Sequence, residues 1–183
     1  MEVQEFLESQ KHEHIVLIHE ELTIGNSIEI KFIKEGLGKG HVCLYITNDV
    51  TTTKTHMEEI GVNVSQFEKE NLLHIIEIPK TFSEYKKNIL EIVNDIEKYR
   101  KDIRVVSTHH FDFSINDNVN SMIEIEQKID DVFSKVPGTM ICSFSLNKMG
   151  QNQSKEFITK LLDSHHKVIF LQKDGTSKWF NLP

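Results

Sequence analysis

Glu20, Glu21, Gly25, Asn26 and Ser27 follow the first apolar run of the chain and stand where a strand-to-helix connection could cradle phosphate. A working phosphate loop reads G-x-x-x-x-G-K-[ST]. Its glycines let backbone N–H groups curl round the anion, its lysine neutralises the β/γ charge, and its hydroxyl holds Mg²⁺. Laid on that pattern, the first glycine falls on Glu20, the second on Gly25, the lysine on Asn26 and the hydroxyl on Ser27. Two carboxylates then face the place where phosphates would sit, which argues against ordinary hydrolysis of a nucleoside triphosphate.

In an open α/β sheet, ligands bind outside the carboxyl ends of the strands. Past the ends of the apolar runs lie His19 and Glu20, then Thr47, Asn48 and Asp49, then Ser107, Thr108, His109, His110 and Asp112, then Ser145 and Asn147. The set is rich in histidine and poor in cations, so it suits a small polar or partly apolar ligand. The expected ligand-binding residues are His19, Glu20, Gly25, Asn26, Ser27, Asp49, Ser107, His109 and Asp112. Asp49 also reads as a turn or helix-cap residue.

Ten histidines raise the question of a metal. His109, His110, Asp112, His19 and Glu20 have donor types that Zn²⁺ accepts. Adjacent histidines in a strand point to opposite faces, however, and no metal-binding spacing is present. His14 opens the first strand, and His165-His166 reads as a solvated turn. Cys43 and Cys142 lie in apolar runs and read as small buried hydrophobes, with no C-x-x-C pair. There is no G-x-S-x-G elbow, and Ser107, His109 and Asp112 share only residue types with a triad. Neither a catalytic residue, a metal nor a cofactor is expected.

The elements that must position these groups alternate. Short β-rich runs at 14–18, 41–47, 72–78, 103–107, 139–145 and 167–171 are separated by helical patterns at 25–38, 51–60, 81–100, 116–135 and 151–164. That alternation predicts βαβ units and a mainly parallel sheet. Helix 116–135 carries an apolar stripe of Met122, Ile125, Ile129, Val132 and Phe133, and Pro137-Gly138 stops it. Asp174-Gly175 between two apolar runs predicts a carboxy-terminal hairpin with an antiparallel edge strand. No repeat, linker or low-complexity block divides residues 1–183, so one domain is expected.

A net charge of -7 and a pI near 5.8 disfavour nucleic acid as a direct partner, because phosphate contacts need clustered Lys and Arg. No apolar run approaches the roughly 18 residues of a membrane span, and the acidic amino terminus lacks the order of a secretory signal. A cytoplasmic location is the expectation.

Three stretches carry a resemblance. They are His14-Ile-Val-Leu-Ile-His, Phe32-Ile-Lys-Glu-Gly-Leu-Gly-Lys-Gly-His-Val-Cys-Leu-Tyr-Ile-Thr-Asn-Asp, and Ile103-Arg-Val-Val, with support from Thr139-Met-Ile-Cys-Ser-Phe-Ser and Leu161-Leu-Asp-Ser-His-His-Lys-Val-Ile. Over about residues 12–172 the chain resembles a RecA/KaiC-type ATPase core with eroded motifs, and especially the MEDS-type sensory domain of archaeal and methylotroph regulators. The resemblance implies a three-layer RecA-like sandwich. It also implies a Walker B acid after Ile103-Arg-Val-Val, where this chain continues Ser107-Thr-His-His, and an acid near Asp49 that would activate water in active relatives. The expected function is a non-catalytic sensory or regulatory domain. It would bind a small molecule in a vestigial nucleotide cleft, with loops 19–27, 107–118 and 146–153 free to respond. The signal would pass through a regulatory protein partner or a homo-oligomer. The alternatives are weak nucleotide binding through backbone N–H groups near Gly25, with residual ATPase activity, and a ligand-free scaffold.

Overall fold

The computed structural model of the chain describes residues 13–78, 84, 86–89, 91–92, 102–109, 116–133, 135–148 and 154–182. Expectations that fall on His110, Asp112, the start and much of helix 81–100, and loop 149–153 lie outside these residues.

Seven strands form one sheet: β1 Glu13–His19, β2 Val42–Thr47, β3 Leu73–Glu77, β4 Ile103–His109, β5 Gly138–Ser145, β6 Lys167–Leu171 and β7 Ser177–Asn181. Their spatial order is β3-β2-β4-β5-β1-β6-β7. The first six run parallel, and β7 returns antiparallel beside β6. The hairpin turns at Asp174-Gly175, where Gly175 adopts a φ of 80° and Asp174 Oδ1 accepts from Thr176 N at 2.9 Å. Interior parallel strands are covered on both faces and therefore read as continuous apolar runs. Ile15, Val16, Leu17 and Ile18 of β1 are each fully buried.

The main helices are α1 Leu22–Gly38, α2 Val50–Glu59, α3 Val64–Lys69, α4 Asn116–Phe133 and α5 Ser154–Leu162. On one face of the sheet, Ile15, Leu17, Tyr45, Val106 and Ile141 pack against Ile30, Ile33 and Leu37 of α1 and Met57 of α2. On the other, Val16, Ile18, Val105, Met140, Cys142 and Phe144 pack against Met122, Ile125, Ile129 and Phe133 of α4 and Phe157 and Leu161 of α5. The result is the expected three-layer α/β sandwich with a carboxy-terminal hairpin.

Three local features differ from the sequence expectation. α1 starts at Leu22, ahead of residue 25, because Gly25 N already donates a helical bond to Glu21 O at 3.1 Å. β4 continues through Ser107 and Thr108 to His109, held in register by Ser107 opposite Cys142 and His109 opposite Phe144. A short helix, α3, precedes β3, where Asn63 Oδ1 accepts from Gln66 N at 3.1 Å and caps it.

Candidate functional site

Only Glu20 and Glu21 connect β1 to α1. Two residues are too few to wrap a phosphate with successive backbone N–H groups, so the connection is short as well as acidic. Glu20 is used structurally. Its carboxylate Oε2 accepts from Lys173 N at 3.0 Å, and its carbonyl accepts from Asn147 Nδ2 at 2.9 Å. The buried ring of His19 lies against Gly25, where an added Cβ would stand 2.7 Å from His19 Cδ2. Gly25 thus admits an imidazole at the head of α1. Ser27 is exposed.

Beside α1, a cavity of about 350 Å³ opens at the carboxyl ends of β2 and β4. Tyr45, Thr47 and Thr108 line it from the sheet, Leu22, Asn26 and Ile30 from α1, and Thr52, Thr53 and His56 from α2. Asn48 and Asp49 complete the lining. Asp49 is the N-cap of α2, accepting from Thr52 N at 3.0 Å. Asn26 Oδ1 is buried and has no hydrogen-bond partner among the described residues. Among the described residues no Lys or Arg lines the cavity, so a polyphosphate there would lack the fixed positive charge of a phosphate loop.

Tyr45 donates its hydroxyl hydrogen to the buried Glu29 of α1. Burial pushes the Glu29 carboxyl above its ordinary value, against the pull of the Ser143 and Tyr45 hydroxyls. Burial, and the charge of Glu29, push the Tyr45 phenol far up, so it stays a donor.

Of the expected residues, Asn26 and Asp49 meet in the cavity wall, with Gly25 and His19 packed nearby on the same side of the sheet. Ser107 and His109 do not join them. They alternate with Thr108 along β4 and share the α4-side face with Val105. The sequence reading placed them past a strand end, and the longer β4 turns them to the opposite layer.

That opposite layer holds a cluster absent from the sequence expectation. Glu126 of α4 is fully buried among His14, His109 and His165, with Nε2-to-oxygen distances of 3.3, 3.3 and 3.4 Å respectively. These contacts are longer than the roughly 2.7–2.9 Å of a charge-assisted hydrogen bond. Cys142 Sγ lies 3.2 Å from His14 Nε2, and Asp130 Oδ1 lies 3.6 Å from His14 Nδ1. Burial pulls the His14 pKa down, but the neighbouring carboxylates of Asp130 and Glu126 outweigh it and the net shift is upward. Burial and the charge of His14 hold His165 down at about 4. Burial would raise Glu126, yet the surrounding imidazoles hold it well below the usual carboxylate range. Cys142 is pushed up by burial and by Glu126. His165 is thus buried, contrary to the solvated turn expected for it, whereas His166 is exposed. One signal in the sequence pointed here. Glu126 follows Met122 by four residues and precedes Ile129 by three, placing a charge on the apolar stripe of α4.

The mostly parallel seven-stranded sheet, layered between helices, is a RecA-like α/β fold of the kind seen in a KaiC-like protein. A crystal structure of a KaiC-like protein from the hyperthermophilic archaeon Pyrococcus horikoshii superposes with a TM-score of 0.62 at 17% identity, covering 92% of this chain and 76% of that one. The sequence matches the MEthanogen/methylotroph, DcmR Sensory domain, MEDS, over residues 13–166, and the chain belongs to that family. No curated protein matches it.

Proposed function

We propose that this MEDS domain is a non-catalytic sensor that binds a small, uncharged, hydrogen-bond-donating molecule in the cavity between α1, α2 and the sheet. The observation that carries the reading is Asn26 Oδ1, a buried acceptor with no partner among the described residues, on a wall that also holds threonines, Tyr45, Asn48, Asp49, His56 and the apolar Leu22 and Ile30. A buried acceptor left unmatched costs about 1–3 kcal/mol, and a ligand hydroxyl or amide N–H recovers it. The same position in a phosphate loop carries a lysine, and its loss together with the two-residue β1–α1 connection supports a pseudo-ATPase. Ligand occupancy shifts the domain only by its differential affinity for two arrangements, and α2, which supplies one wall, is the element placed to respond. The output passes to a regulatory partner or to a second copy. Direct nucleic-acid contact does not fit the net charge of -7. No helix of the described residues is long and apolar enough to cross a membrane.

Calorimetric titration tests the reading, first with Mg-ATP and then with a panel of short alcohols, polyols and primary amides. The expected result is no heat with Mg-ATP and saturable binding of at least one uncharged donor, weakened about tenfold or more in Asn26→Leu. Micromolar Mg-ATP binding would replace the sensor reading with a nucleotide-gated one.

A further inference from the structure

The geometry points to a second site, on the opposite face of the sheet from the cavity, in which His14, Glu126, Cys142 and His165 bind one divalent cation of the Zn²⁺ class. Their donor atoms all lie within 4.8 Å of one another, and the four residues are almost wholly buried. Tetrahedral zinc, with bonds of about 2.0–2.3 Å, spaces its ligand atoms by about 3.3–3.8 Å. Of the six separations, three are 3.2 Å from His14 Nε2 to Cys142 Sγ, and 3.3 and 3.4 Å from Glu126 Oε2 to the two Nε2 atoms, and the others lie within 4.8 Å.

The histidine orientation is set from behind. His14 Nδ1 lies 2.9 Å from the Ser164 carbonyl, and His165 Nδ1 lies 2.6 Å from the Leu161 carbonyl. A carbonyl only accepts, so each Nδ1 carries hydrogen, and each ring in its neutral form turns an Nε2 lone pair inward. Those lone pairs converge on a carboxylate of which neither oxygen has a hydrogen-bond partner among the described residues, and His165 Nε2 likewise has none. Acceptors pressed together in a dry core need a positive charge between them, a metal cation or a proton.

Charge and donor type select the ion. One thiolate and one carboxylate neutralise a divalent cation, while two imidazoles add no charge, so the loaded cluster is neutral and suits complete burial. Mixed nitrogen, sulfur and oxygen donors favour a borderline metal over Mg²⁺ or Ca²⁺. With all four positions supplied by the chain, the site is closed in the manner of a structural metal. His109 Nε2, 3.3 Å from Glu126 Oε1, orients the carboxylate from outside the donor set. The His14 and His165 rings stack at 3.9 Å with a 28° tilt, and seating an ion in the plane of each requires that tilt to open by side-chain rotation. The ion would tie α4 and the turn before β6 to β1 and β5, so that metal binding adds to folding stability.

Because the cluster is closed to solvent, the test loads it during folding. The full chain is unfolded with a chelator and refolded with Co²⁺. The expected result is one cobalt per chain, intense visible absorption of a tetrahedral centre, and a near-ultraviolet thiolate-to-cobalt band. Cys142→Ser should lose that band, and Cys43→Ser, altered on the other face, should keep it. Glu126→Gln should weaken cobalt at least about tenfold, the smallest loss typical even for outer partners of a metal. Zn²⁺ should raise the Tm of the wild-type protein. A wild-type chain that takes up no stoichiometric metal overturns the inference, leaving a proton on His14 to balance Glu126. So does a thiolate band that survives in Cys142→Ser, or undiminished affinity in Glu126→Gln.

Discussion

Glu29 sits fully buried on α1 with Tyr45 donating to it, and the two hydroxyls beside it do not compensate the loss of water. Its carboxyl pKa is raised in the folded chain above the 4.5 of an exposed glutamate. Between those two values the folded state binds the extra proton. The contribution to stability is therefore complete below pH 4.5 and is lost as pH rises through the folded value. Glu29→Gln, which keeps the shape and cannot ionise, should flatten that part of the pH–stability curve and leave the mutant the more stable protein at neutral pH. Urea unfolding across pH 4–8 reads this directly, and an unchanged slope would mean that Glu29 is already ionised in the fold. At this scale the sequence showed which residues were polar. Whether Asn26 Oδ1, Glu29 or Glu126 was buried depended on strands brought beside them from far along the chain.

Between α1 and β4 the fit is tight enough for magnitudes to decide a sign. Arg104 is buried, donates Nη1–H to the Phe32 carbonyl at 2.7 Å, and lies 4.5 Å from the Phe32 ring centroid. A Cβ added at Gly36 would stand 2.5 Å from Arg104 Cδ and 2.8 Å from Cys43 Sγ. Both neighbours are buried, and Arg104 is tethered at its guanidinium to the Phe32 carbonyl. Alanine in place of a helical glycine gains up to about 1 kcal/mol in propensity. Overpacking a filled core costs about 1–3 kcal/mol. Gly36→Ala should therefore destabilise the chain despite the better helix former, which denaturant midpoints would show, whereas a rise in midpoint would mean that α1 shifts away from the sheet. Glycine carried this information only weakly in the sequence. Gly25 suggested a phosphate loop there, and its actual neighbour is the ring of His19.

Across the whole molecule, β5, β1 and β4 occupy the middle of the sheet with helices on both faces, while β3 and β7 form its edges. Amides of Val16, Val105 and Cys142 should exchange with solvent only through global unfolding. Those of Ser177–Asn181, paired on one side alone, should exchange much faster. Hydrogen exchange followed by NMR would check this, and equal protection at β5 and β7 would contradict the edge position of β7 in the isolated chain. The alternation of strands and helices, the parallel sheet and the closing hairpin were all legible in the residues, because burial on both faces demands continuous apolar runs and helices demand their own period. Local pattern could not show where β1 ends relative to α1, nor that β4 runs on to His109. Those depend on hydrogen-bond register with neighbouring strands. Nor could it show that His14, Glu126, Cys142 and His165 meet, since they come from two strands, a helix and a turn separated by up to 151 positions and are joined only by the order of strands in the sheet.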